Sequence, residues 1–593
     1  MNFWKLFFTS LLGTIFGVVI LFFIFFIGIL SSSGEPEPYI RSNSVLTISL
    51  SGDIPSRSSS DPFQDLFQTG STQPVSLEML QANLEKAAAD DNITGIWLQM
   101  NLLSSSWSNL ESARDYLMTF KESGKFIYAS TDDIGLNEKS YYLATAADSL
   151  FLPPMTGFEF NGFLIQTMFL SDLFEKAGVE PEIFQAGDYK SAAERYLLNE
   201  NSPETIEQLT PILNQAMSTF TDAVEQKTGR TADEINALMG EIPTDPVQWA
   251  FDNNLADVIA YPEDVKEQVK QRSGIDEETS LRTVGIRRYN RVSPGSAGLE
   301  QPDTRDRIAI LYASGNIMPK IPGAFPGNEA TITSEGIESS LESILENDDI
   351  KAIVLHIESP GGAPTTSDLI WNHIQNASEK KPVVAYMGGV AASGGYYIAM
   401  GADTVIASPN TITGSIGVVG QLFNAGELLN EKLGIQFDEL RTHEHADMYS
   451  MSRGLTPTER AGIERWIDNT YEQFLNRVAE NRNLTRDEVD RWAQGRVWTG
   501  VDAAEIGLVD LVGNLDDALR VAAEMAEINQ YRTVTYPEKK DFLELLFSTA
   551  EVRINNWIQS WIPYSNEIRL ATDTARRQQS FGWMVLPVDF VIE

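Results

Sequence analysis

The sequence predicts an α/β protein, two repeated units of mostly parallel strands with covering helices, behind an N-terminal transmembrane helix. Three observations predict it. No charged side chain occurs from Leu6 to Gly34. Beyond that segment, apolar runs of strand length alternate with stretches of helical period. The body also matches itself, half against half, in the same order.

A helix rises 1.5 Å per residue, so about 20 apolar residues cross a bilayer. The core Leu11 to Leu30 is almost wholly Leu, Ile, Phe, Val and Gly. It exceeds the apolar region of a cleavable signal peptide, so residues 1–34 are expected to persist as a membrane anchor, with cleavage near Ser31 to Gly34 as the alternative. Lys5 precedes the span and Glu35 and Glu37 follow it, which favours the amino terminus inside and the body outside. With 593 residues, 42% hydrophobic, the chain can bury several cores. The absence of cysteine removes disulfides, thiol catalysis and cysteine-based zinc sites. A net charge of -39 repels phosphate, so no nucleic-acid partner is expected.

Residues 35–285 form the first unit with a helical extension from 203, 286–304 a connector, 305–540 the second unit, and 541–593 an amphipathic segment and tail. Ser44 to Ile54 and Arg307 to Ile317 each read as a strand ending in a Gly turn. Asp91 to Leu98 pairs with Asp348 to Leu355, each after a helical stretch (76–90 and 335–346). Ser140 to Asp148 matches Gly395 to Asp403, and Phe174 to Val179 matches Asn430 to Ile435. In the second unit, strands Ala352 to Ile357, Pro382 to Tyr386 and Thr404 to Ala407 are separated by helices Thr366 to Ala377 and Gly394 to Met400. A later helix starts at Thr456, with Pro457 at its first position and Glu459 completing a capping box.

The chemistry concentrates where the strand after Pro382 enters the turn Gly388 to Gly395. Ser393, between Ala392 and Gly394, stands before a helix start whose free N–H groups favour developing negative charge; it is a nucleophile candidate, or else a helix N-cap. N–H groups around Gly361 and Gly362, at the neighbouring strand end, suit an oxyanion. A serine hydroxyl needs a base, and none of His356, His373, His443 and His445 has a triad context. Lys190, after a short strand and at a helix start, can serve if burial keeps it neutral. The internal matches place Glu138 opposite Ser393 and Ala446 opposite Lys190. Each half keeps what the other lacks, so the two groups are expected to meet across the halves.

Gly187-Asp-Tyr-Lys-Ser191, Ser359-Pro-Gly-Gly362, Ala391-Ala-Ser-Gly-Gly-Tyr-Tyr397 and Thr413-Gly-Ser-Ile-Gly-Val418 together resemble the signal peptide peptidase A family, in its long, membrane-anchored form with tandem ClpP/crotonase-like domains. The resemblance implies a serine protease in which Ser393 is the nucleophile and Lys190 the general base. It makes Gly361 and Gly394 the oxyanion donors and Ser415 the residue that orients the lysine. It also implies a homotetramer, single-pass in the bacterial cytoplasmic (inner) membrane with its catalytic body on the outer, periplasmic side, cutting cleaved signal peptides and other short extended peptides. No cofactor or metal is expected. Two other classes compete: a catalytically weak peptide-binding or scaffold protein of the same fold, which would survive loss of Ser393, and a crotonase-like acyl-CoA enzyme, for which no paired carboxylates or CoA signature is found. Glu358 brings a charge near the proposed crevice.

Overall fold

The computed structural model describes residues 13–14, 16–17, 37–58, 74–132, 134–276, 278–320, 331–538 and 584–585. The first half contributes β1 (Ser44–Gly52), β2 (Ile93–Leu103), β3 (Phe126–Ser130), β4 (Ser149–Leu152), β5 (Glu180–Ala186), β6 (Val258–Ile259) and β7 (Thr283–Gly285). All but β5 join one parallel sheet in the order β6-β4-β3-β2-β1-β7. Helices cover the sheet, among them Leu77–Ala89 and Trp107–Lys121.

The second half contributes β8 (Arg307–Ser314), β9 (Asn316–Ile317), β10 (Thr331–Ile332), β11 (Ile350–Ser359), β12 (Gly361–Gly362), β13 (Val383–Ala392), β14 (Thr404–Ala407), β15 (Ile412–Gly414), β16 (Val418–Asn424), β17 (Val497–Thr499), β18 (Leu511–Val512), β19 (Arg532–Tyr536) and β20 (Met584–Val585). Its main sheet runs β17-β15-β13-β11-β8-β19, with β14 pairing with β13 and β18 with β14. Only the β15/β17 pair in it is antiparallel. The expected helix start is found: Thr456 caps Pro457–Arg482 in a capping box with Glu459.

Several contacts join the halves, two of which set their relative register. β5 pairs antiparallel with β16 in an unbroken register from Val418↔Ala186 to Asn424↔Glu180. Helix Trp107–Lys121 of the first half also packs on β13 of the second, and Glu111 on that helix accepts hydrogen bonds from Ser408 Oγ and Asn410 Nδ2, both 2.8 Å away.

The expected membrane span requires correction. Among the described residues no helix is long and apolar enough to cross a membrane. Residues 6–34, on which the expectation rested, lie outside the described residues except Gly13, Thr14, Phe16 and Gly17. With the N-terminal transmembrane helix go the membrane-anchored form, the tether to the cytoplasmic membrane, the single-pass placement with a periplasmic body, and the homotetramer inferred for that tethered form. The amphipathic stretch 541–593 also lies outside the described residues, save Met584 and Val585.

Candidate active site

The β5/β16 ribbon sets the geometry. Because Ala186 faces Val418, the turn four residues beyond one and three residues before the other places Lys190 against Ser415. Lys190 is fully buried, and its Nζ lies 2.9 Å from Ser393 Oγ, 2.8 Å from Ser415 Oγ and 3.0 Å from the Ser415 carbonyl. Burial pushes the amine well below the ordinary lysine range. The short turn Ser191–Ala193 and the four-residue helix Glu194–Leu197 follow the lysine directly.

Ser393 joins β13 to the helix Gly394–Ala399 in a conformation few non-glycine residues adopt, φ 55° and ψ -116°. Such strain persists only where its surroundings over-determine it; here Ser393 N–H donates to Gly414 O at 2.8 Å. The side chain makes no N-cap hydrogen bond, so it is directed at the lysine rather than at its own helix. Gly395 permits this packing, since a Cβ there would meet Ser359 O at 2.5 Å. Gly361 and Gly362 approach from β12: a Cβ on Gly394 would lie 3.1 Å from Gly362 N and 3.2 Å from Gly361 Cα. Two details depart from the sequence reading. The Gly361 N–H already donates to Ser359 Oγ at 3.1 Å. The Ser393 hydroxyl is enclosed rather than open, and β20 runs antiparallel along Gly361–Gly362.

The remaining candidates lie elsewhere. His356 is a core residue between the rings of Tyr312 and Tyr386, at centroid distances of 4.9 and 5.1 Å, with its pKa pushed down to about 4 by burial. His373 meets Ser334 Oγ, His443 meets Thr442 Oγ1 and His445 meets Glu459 Oε1. Glu138 accepts the N–H groups of Asn161 and Gly162, and Ala446 is exposed. Glu358 faces a cavity of about 740 Å³ between the halves, taking hydrogen bonds from Ser56 Oγ and Gly389 N–H. Burial raises its pKa, and the cavity it lines is walled by residues of both halves, Ser393 and Lys190 not among them. Among the described residues no three potential ligands are grouped to hold a metal ion. Sequence reasoning missed the segment Gln494 to Val497 and Gln208, which surround Lys190; only Gly495, whose added Cβ would lie 2.6 Å from Lys190 Cβ, left any local signal.

The family model described as Peptidase family S49 matches residues 119–276 and 375–529, and that of Clp protease matches 328–421. The chain is 35% identical over 504 residues to "Serine protease SPPA, chloroplastic" of Arabidopsis thaliana, covering 85% of this chain and 72% of that one. It is 31% identical over 496 residues to "Protease 4" of Salmonella typhi, covering 81% and 77%. Among solved structures, a mutant ClpP1 from Listeria monocytogenes covers 36% of this chain and 94% of its own at 16% identity, with a TM-score of 0.23, too slight a likeness to carry an argument.

Proposed function

Because the chain belongs to peptidase family S49 and is a serine endopeptidase, we propose that it cleaves short extended peptides, cleaved signal peptides among them, with Ser393 as nucleophile and Lys190 as general base. The observation that carries this reading is the 2.9 Å approach of a fully buried amine to the serine hydroxyl.

A neutral amine has two N–H donors and one lone pair. The Ser415 hydroxyl and carbonyl use the donors, which leaves the lone pair facing Ser393 Oγ. During attack the Ser393 proton passes to Nζ as Oγ bonds to the peptide carbonyl carbon. The ammonium then protonates the departing amine, the C–N bond breaks and an acyl-enzyme ester remains. A water, deprotonated by the same amine, hydrolyses that ester and frees the serine. The negative oxygen of each tetrahedral intermediate takes the Gly394 N–H, together with the Gly361 N–H once Ser359 Oγ releases it. The substrate lies extended, because the edge of Gly361–Gly362 accepts an antiparallel strand, as it does from Met584–Val585. The four motifs shared with the signal peptide peptidase A family favour cleaved signal peptides as substrates.

Ser393→Ala and Lys190→Met are expected to lower turnover of short apolar peptides by roughly a thousandfold or more while leaving the chain folded. Labelling by a serine-directed acylating probe should vanish in the serine variant. Retained turnover in either variant would sink the dyad; peptide binding without turnover in the unaltered chain would favour a scaffold.

A further inference from the structure

We propose that Gln208 is a positioning residue for the reaction, tying the turn that carries Lys190 to the strand that seats Ser415. The inference rests on the Ser393/Lys190 reading above. Gln208 lies on the helix Pro203–Thr228 of the first half and is 1% exposed. Its Nε2 donates to Tyr189 O and to Ser191 Oγ, both at 3.0 Å, so it grips the residues on either side of the lysine. Its Oε1 accepts the Val497 N–H at 3.1 Å, across the boundary between the halves.

Val497 begins β17, where it pairs with Gly414 of β15. The next residue, Ser415, donates its N–H to Arg496 O at 2.7 Å and receives the lysine through its hydroxyl and carbonyl. One amide therefore braces both the stem of the lysine and the receptor for its tip. A lysine side chain has many rotamers to lose, so fixing its base and its tip against one another is what holds Nζ on the serine. Leucine would fill a similar buried volume; the three directed hydrogen bonds are what a hydrocarbon lacks.

An outer layer runs parallel to this clamp. Tyr189 Oη donates to Glu207 Oε2 at 2.9 Å, Arg496 Nη1 donates to Glu207 Oε1 at 2.6 Å, and the Arg496 guanidinium lies 5.1 Å from the centre of the Tyr189 ring. That layer is exposed and screened, so it holds the turn weakly. The buried amide does the positioning.

The test compares Gln208→Leu, Gln208→Glu and Lys190→Met in the full chain, using a short apolar peptide and a serine-directed acylating probe. Gln208→Leu is expected to lower kcat and the acylation rate by about tenfold or more, with KM within about twofold, because ground-state peptide contacts are untouched. The rising limb of kcat/KM against pH should move upward as a loosened amine regains water; the amine's neighbours are serine oxygens, and burial alone depresses its basicity. Gln208→Glu, which keeps the acceptor for Val497 but loses the amide donors, should fall between, and it carries the comparison if the leucine variant does not fold. Unchanged kcat and pH profile with a lower melting temperature would make Gln208 structural and overturn the proposal, as would a raised KM at unchanged kcat. A fully active Gln208→Leu beside an inactive Lys190→Met overturns this inference alone; an active Lys190→Met overturns the dyad and the positioning together.

Discussion

Lys190 shows how burial changes a common surface cation: desolvation lowers its pKa, which the proposed role as general base requires. Its depressed folded-state pKa has a consequence for stability as well as for catalysis. The unfolded chain presents an ordinary lysine, with a pKa of about 10.4. Between the depressed value and that one, the unfolded state holds one more proton, so stability rises with pH through that window. The slope is up to about 1.4 kcal/mol per pH unit from this group. Lys190→Met removes the increment: denaturant unfolding at pH 7 and pH 9 should show a smaller gain for the variant than for the unaltered chain. Equal gains would mean that the amine is not desolvated. On the proposed dyad, activity is expected to rise with pH through a pKa below the ordinary lysine range, which a pH profile of kcat/KM checks.

Secondary-structure elements deliver the groups by register. The β5/β16 ribbon aligns the two loops that meet at the lysine, and the helix Pro457–Arg482 braces that ribbon: Glu182 of β5 accepts from the Leu455 N–H at 2.9 Å and from Arg460 Nη2 at 2.7 Å. The turn after helix Arg486–Trp492 closes over the lysine stem, with Gly495 at φ +78° and an added Cβ only 2.7 Å from Lys190 N. Gly495→Ala combines backbone strain with a clash against backbone, so a loss of about 1–3 kcal/mol is expected. Unlike a remote destabilisation, it should also lower kcat more than it changes KM, as steady-state assays well below the melting temperature would reveal. Normal kcat would show that this turn only covers the site.

At the scale of the molecule, the site exists because two similar halves dock with complementary residues at their boundary. Glu111 contributes to that docking through Ser408 and Asn410, and burial pushes its carboxyl upward. Glu111→Ala would take the acceptor from Ser408 Oγ and leave Asn410 Nδ2 with Thr219 Oγ1 alone, with an expected cost of about 1–3 kcal/mol. Because the Lys190 to Ser393 distance depends on the same docking, kcat should fall too, while Glu111→Gln, which keeps polar contacts, should have a milder effect. Calorimetry beside peptide turnover checks both, and loss of stability without loss of turnover would show that the halves are held in register by the ribbon alone.

Much of the fold and several site residues are legible in the order of the amino acids. Thr404 to Ala407 and the capped helix at Thr456 have the predicted starts because period, caps and turn residues act over a few neighbours. The glycine-bounded Ser393 and the unmatched Lys190 stand out for the same local reason, aided by the internal repeat. The strand predicted from Pro382 to Tyr386 instead continues to Ala392, since its later residues gain partners in β15, which no local pattern reveals. Lys190 and Ser393 are 203 residues apart, and neither the burial that lowers the pKa of one nor the hydrogen bond that occupies Gly361 is written near either residue. The sequence alone determined several of the strands and helices of the two halves and the reactive groups they carry. Tertiary packing decided which atoms meet, how dry they are and which amide holds them, because desolvation and hydrogen-bond partners are properties of the assembled interface rather than of a stretch of chain.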